Sequence, residues 1–153
     1  MAELILKCSS FKEDGFIPER YTCDGENVNP FLEIRNVPKE AHSLALIMDD
    51  PDATNGKVWD HWVIWNIDPK TQYLSEDSLP SNTVQGINSW GSARYGGPCP
   101  PHGAEPHRYM FKLYALDMVL DLPFTTTRAE LERVIEEHVI AKTDLVAKYR
   151  RKD

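Results

Sequence analysis

Turn-forming residues punctuate this chain at short intervals: Asp14-Gly15, Asp24-Gly25, Asn29-Pro30, Asn55-Gly56, Gly96-Gly97-Pro98 and Pro100-Pro101. Glycine supplies backbone conformations that other residues avoid, and proline fixes φ, so each pair marks a place where the chain reverses or breaks. The stretches between them are short and rich in β-branched and aromatic residues. That combination predicts a mainly β fold, an antiparallel sandwich or barrel. Candidate strands are Glu3–Cys8, Phe31–Arg35, Ser43–Met48, Val58–Ile67, Arg108–Leu116 and Asp144–Tyr149. The fourth is apolar on both faces, with Trp59, Val63, Trp65 and Ile67 alternating with Val58, Trp62 and Ile64, and so is expected to be central and covered on each side. One helix is expected. Thr127-Arg128-Ala129-Glu130 fits a capping box, and Leu131, Val134, Ile135, His138 and Val139 follow at helical spacing over about three turns.

No repeat, low-complexity tract or linker interrupts the 153 residues, so residues 1–153 are read as a single domain. The formal net charge of -7 argues against a nucleic-acid partner, which would need a basic patch. The one basic run, Lys148, Arg150, Arg151 and Lys152, reads as a solvated tail. Nothing approaches the about 20 apolar residues of a membrane-spanning helix, so no stable membrane insertion is expected. The N-terminal MAELILKCSS lacks the features of a secretory signal. Cys8, Cys23 and Cys99 are odd in number and lack metal-type spacing, which predicts free thiols in a reducing compartment, the cytoplasm.

Two histidines stand where strand meets loop. His61 is expected on the face of Trp59, Val63 and Trp65, and His107 on that of Tyr109, Phe111 and Leu113. Each strand follows an unusual loop. One carries Asp49, Asp50 and Asp52 around Pro51, and the other runs Tyr95-Gly96-Gly97-Pro98-Cys99-Pro100-Pro101-His102-Gly103. Loops this constrained are usually kept for a site. Asp and His together can bind a metal, run acid–base chemistry, or bind an anion through oriented imidazoles. Compact zinc spacing is absent, there is no G-x-S-x-G, and Cys99 has no visible activator as a nucleophile beside His107. For an anion, a carboxylate would hold one imidazole nitrogen so that the other points at the ligand, and it would favour the charged ring. Backbone N–H groups of Gly96-Gly97 would add donors. Trp62, Trp65, Phe111 and Tyr114 read as core, His42 and His138 as surface or helix-face residues, and Trp90 and His102 as lesser pocket candidates.

In order and spacing, several motifs resemble the phosphatidylethanolamine-binding protein family, also called Raf kinase inhibitor-like proteins, in its bacterial and archaeal branch. They are Phe16-Ile17-Pro18, Tyr21-Thr22-Cys23-Asp24-Gly25-Glu26-Asn27, Asp49-Asp50-Pro51-Asp52-Ala53, His61-Trp62, Tyr95 through Pro101, His107-Arg108-Tyr109 and Tyr149. The resemblance implies a Greek-key antiparallel β-sandwich with a small anion pocket at one end. Carried over by residue, the pocket takes Asp50 and Pro51, His61, Gly97, Pro100, His107 and Tyr109, with Asp52 bracing the loop. It implies a small anionic ligand (phosphate, a carboxylate or a phospholipid headgroup such as phosphoethanolamine), a kinase or protease as protein partner, and a homodimer. No cofactor, no metal and no catalytic residue are expected. The chain is read as a regulatory binding module; the alternatives are an inhibitor docking on a kinase or protease, and a hydrolase of a small phosphorylated or acyl substrate. Thr54 replaces a usual proline, Asp60 adds negative charge beside the pocket, and only Arg150–Asp153 follow the last strand, where animal members carry a helix that closes the pocket. Phosphate affinity is expected to fall as pH rises through roughly 6 to 8 as the histidines lose protons.

Overall fold

A computed structural model describes residues 2–54 and 56–151, and the chain folds into two antiparallel sheets and one short helix. The smaller sheet has the order β1-β2-β5, from β1 (Ile5–Lys7), β2 (Leu32–Arg35) and β5 (Tyr73–Leu74). The larger has the order β6-β4-β3-β7-β8, from β6 (Val84–Gln85), β4 (Trp59–Ile67), β3 (Ser43–Asp50), β7 (His107–Leu116) and β8 (Val139–Tyr149). A 3-10 turn covers Glu19–Tyr21, and α1 spans Arg128–Ile135.

Two apolar layers follow from this arrangement, one on each face of the larger sheet. Between the sheets, Leu6, Leu32, Ile34 and Leu74 pack with Leu46, Met48, Trp62, Ile64, Phe111 and Leu113. On the opposite face, Ala45, Ile47, Val63, Trp65 and Leu116 meet Leu131 and Ile135 of α1. Strand β3 is therefore buried at every position, and β4 is apolar on both sides because each side meets a core. Side chains of this size each contribute about 1.5–3 kcal/mol when fully buried, so Leu131 and Ile135 are what hold so short a helix in place. Its start is fixed by the expected capping box: Thr127 Oγ1 accepts from the Glu130 N–H, and Glu130 Oε1 accepts from the Thr127 N–H at 3.0 Å.

The helix ends earlier than its spacing predicts. It has eight residues, His138 lies in the turn after it, and Val139 opens β8 opposite Leu116. Strand β8 thus begins five residues before the predicted Asp144, because pairing along β7 outweighs one further helical turn of a Val139-Ile140 pair. The basic run is not simply solvated either. Arg151 pairs with Asp24 at 3.1 Å, and Lys148 sits over the Phe16 ring at 5.4 Å; Lys152 lies outside the described residues.

The cysteines depart further from expectation. Cys23 and Cys99 form a disulfide across a sequence separation of 76, leaving Cys8 as the free thiol. The argument from three free thiols to a reducing compartment fails with it, and so does any role for Cys99 as a nucleophile in this form. Among the described residues no helix is long and apolar enough to cross a membrane.

Candidate functional site

At one end of the larger sheet, the ends of β3, β4 and β7 meet the loop after Tyr95. There they enclose a cavity of about 250 Å³. Asp50, His61, His107, Tyr109 and Pro100 line it, together with Trp59 and Trp90.

His61 reaches the cavity through an irregularity in β4. Met48 pairs with Trp62 and Asp49 with Asp60, so His61 is an extra residue with no partner in that register. A bulge of this kind re-aims a side chain. The imidazole consequently packs edge-on to Tyr109 at 5.2 Å and to Trp90 at 5.1 Å, on the face of the inter-sheet core. Simple alternation had placed it with Val63 and Trp65, which belong to the opposite core. Asp60, expected to add charge to the pocket, instead accepts from Arg128 Nε at 2.5 Å on the helix side.

Each imidazole is held by its Nδ1. His61 Nδ1 donates to the Gly96 carbonyl oxygen at 2.7 Å, and His107 Nδ1 donates to Asp50 Oδ2 at 2.8 Å. The expected carboxylate support thus exists for His107, while a backbone carbonyl does the same for His61. Asp50 is itself oriented, since its Oδ1 accepts from the Asp52 N–H at 2.7 Å. Asp52 turns outward and grips Arg108: Oδ1 accepts from Nη2, and Oδ2 from Nε and the backbone N–H, each at 2.9 Å. That grip holds the Asp52 carboxyl below the usual carboxylate range. Asp52 therefore braces the loop, and neither it nor Pro51 lines the cavity.

Burial decides the electrostatics of His61. The ring is 2% exposed, and desolvation pulls its pKa down to about 4, against the Gly96 carbonyl and the Asp50 charge, which favour the protonated form. Of the two opposed effects expected on this ring, a neighbouring carboxylate and burial, burial wins: at neutral pH it is an uncharged imidazole. Tyr109 is fully buried, its hydroxyl pKa is pushed up by the same desolvation, and that hydroxyl has no hydrogen-bond partner among the described residues. A buried polar group left unpaired costs about 1–3 kcal/mol.

The glycine-proline loop is structural support for the cavity. The Gly96 N–H donates to the His61 carbonyl at 3.0 Å and the Gly97 N–H to Asn27 Oδ1 at 2.8 Å. Neither is left to cradle an anion, contrary to expectation. What both positions require is the absence of a side chain. A Cβ on Gly96 would stand 2.4 Å from the Trp90 ring, and one on Gly97 would stand 2.2 Å from the Tyr21 carbonyl oxygen. Segment 19–27 is the counterpart of this loop. Tyr95 Oη donates to the Tyr21 carbonyl at 2.7 Å, the Cys23 N–H donates to the Pro98 carbonyl at 3.1 Å, and the disulfide closes the clamp.

Five of the eight expected ligand-binding residues thus share one cavity: Asp50, His61, Pro100, His107 and Tyr109. Pro51, Asp52 and Gly97 stand behind it. Thr54 lines the cavity, as do Trp59, Ala53, Cys99 and Pro101. Trp90, a lesser candidate in the sequence, forms part of the wall over His61, while His102 pairs with Arg151 outside it. The signal for Trp90 was its place in a polar loop, where a large aromatic side chain has few core partners. Among the described residues, no three His, Cys, Asp or Glu side chains converge as a metal cage would require.

A family model described as phosphatidylethanolamine-binding protein matches residues 7–150. A UPF0098 protein of Methanothermobacter thermautotrophicus is 50% identical over 151 residues, covering 95% of this chain and 98% of its own. The crystal structure of a phosphatidylethanolamine-binding protein homologue from Chlamydia trachomatis is similar, with a TM-score of 0.92 at 35% identity, over 97% of this chain and 98% of that one. A carboxypeptidase Y inhibitor, solved in complex with its cognate proteinase, shares the fold at 20% identity and a TM-score of 0.61, over 97% and 83% of the two chains.

Proposed function

Since the chain belongs to the phosphatidylethanolamine-binding protein family, we propose that its cavity binds the phosphoryl or carboxylate group of a small anionic ligand, and that the protein is a regulatory binding module, not an enzyme. The observation that carries this reading is the convergence of His61 and His107 with Tyr109 on one cavity, each imidazole braced through Nδ1. Such bracing orients the remaining nitrogen of each ring as a ligand-binding group. The size fits a headgroup: about 250 Å³ lies below the roughly 300–1,000 Å³ of pockets that engulf drug-sized ligands. Phosphate and phosphoethanolamine are within that size, whereas lipid tails would remain outside. The disulfide at Cys99 speaks against a cysteine nucleophile.

Titration calorimetry with inorganic phosphate, acetate and phosphoethanolamine tests the reading. Saturable binding to wild-type protein, lost in a double His61→Ala, His107→Ala variant that stays folded, supports it. No binding by any of the three overturns it, and turnover of generic phosphoester or ester substrates would overturn the non-enzymatic part.

A second reading is docking on a protease or kinase, with the pocket as the regulatory site. It is favoured by the shared fold of the carboxypeptidase Y inhibitor. Inhibition of a purified protease by this chain would support it.

A further inference from the structure

The contact of His61 fixes which of its nitrogens carries the proton. A carbonyl oxygen only accepts, so Nδ1 must donate to Gly96. The uncharged ring has a single N–H, so with that proton on Nδ1 its Nε2 is a lone pair, an acceptor and not a donor.

The Tyr109 hydroxyl does not answer that lone pair: its oxygen is buried away from solvent and stays protonated. The Asp50 carboxyl lines the cavity, and among the described residues neither Lys nor Arg does. A fully ionised oxyanion would therefore set an oxygen against the His61 lone pair with no lysine or arginine to offset it. A singly protonated oxyacid group matches better, because its O–H can donate to that ring while its other oxygens accept.

We propose that this pocket takes its oxyanion together with a proton, so that the ligand bound is a monoanionic oxyacid group such as a phosphomonoester monoanion, its proton shared with Nε2 of His61. This rests on the anion-binding reading above and specifies the ligand's ionisation state.

The surroundings support it. Protonating His61 from solvent is opposed by burial, which outweighs the Gly96 carbonyl and the Asp50 charge that favour it. The other charges near His107 are already engaged: Asp52 by Arg108, and the facing Tyr149 hydroxyl of β8 donates to Asp24 at 2.5 Å. A proton arriving on the ligand avoids creating an uncompensated buried charge.

Calorimetry with methyl phosphate and with sulfate, in buffers of different ionisation enthalpy, tests the inference. At about pH 8 methyl phosphate is mostly dianionic, since a phosphoryl group's second ionisation lies near 6. Binding is then expected to take up about one proton, with affinity falling about tenfold per pH unit between about 7 and 9. Sulfate carries no proton at these pH values and is expected to bind at least about tenfold more weakly at about pH 7. In the unliganded protein, nitrogen NMR is expected to show His61 as the Nδ1–H tautomer. Methyl phosphate binding with a flat pH profile and no proton uptake would overturn the inference while leaving the anion site in place. So would sulfate matching methyl phosphate, or His61 found protonated on Nε2 in the unliganded protein. Absence of binding by either anion across the pH range would overturn both this inference and the reading beneath it.

Discussion

His107 and Asp50 form a buried pair, Nδ1 to Oδ2 at 2.8 Å, with 9% and 6% of their side chains exposed. Replacing Asp50 by Ala leaves the buried Nδ1–H without a partner and the Asp52 N–H without its acceptor. The expected loss is about 1–3 kcal/mol of unfolding free energy for the stranded donor. Urea unfolding of Asp50→Ala against wild type measures it, and phosphate binding should weaken in the same variant because the ring is no longer aimed.

His61→Ala and His107→Ala should each weaken phosphate binding by about 1.5–3 kcal/mol, the range for a hydrogen bond to a charged group. His42, exposed and remote from the cavity, serves as the control, and His42→Ala should bind as wild type does. Calorimetry that finds both pocket variants unimpaired would place the anion elsewhere.

The depressed pKa of His61 makes stability pH-dependent. Its folded value of about 4 lies below the ordinary 6.5, so the unfolded chain binds the extra proton between these values. The sign follows: the contribution is fully present above about pH 6.5 and is lost as pH falls toward about 4, roughly 3 kcal/mol in all. His61→Gln should flatten that part of the profile. Asp49 and Asp60, whose carboxyls burial pushes up, act in the opposite sense and lose stability as pH rises through their folded values. Urea unfolding at several pH values, for wild type and variant, isolates the His61 part as the difference.

Lys112→Met removes the one partner of a buried carboxylate. Asp49 is 1% exposed, accepts from Lys112 Nζ at 2.9 Å through Oδ2, and has no partner for Oδ1 among the described residues. Breaking a buried pair from one side typically costs about 3–5 kcal/mol. Restoring stability with a second change, Asp49→Leu, would show that the stranded charge was the cause; a double variant no more stable than Lys112→Met would refute it.

Reduction of the disulfide should lower stability by about 2–4 kcal/mol, given the long loop it closes, and should weaken anion binding because Cys99 lines the cavity. Thermal melts with and without a reductant, and of Cys99→Ser, read the first effect. Calorimetry on the same samples reads the second.

Periodicity and turn residues made the larger strands legible, and the capping box located the start of α1 to the residue. The convergence of His61 with His107 could be anticipated because both adjoin constrained loops. Local pattern could not separate helix from strand at Val139, which keeps helical spacing from Ile135 yet pairs with Leu116. Nor could it show the bulge at His61, since alternation assumes an unbroken register. The Cys23–Cys99 bond and the use of the Gly96 and Gly97 N–H groups depend on contacts between segments more than 30 residues apart, and two-residue strands such as Tyr73–Leu74 are too short to carry a period.

Asp49 and Asp50 are adjacent on β3 but face opposite sides of the sheet, one toward the Lys112 pair and the other toward the cavity. A single-residue deletion or insertion within β3 would reverse the facing of the residues beyond it, turning the structural carboxylate away from Lys112 and the site's carboxylate away from the cavity. The reading frame of this strand is therefore itself a functional constraint. Laboratory evolution of the protein should accept length changes at the exposed Gly56 and Lys57 far more readily than anywhere between Ser43 and Asp50.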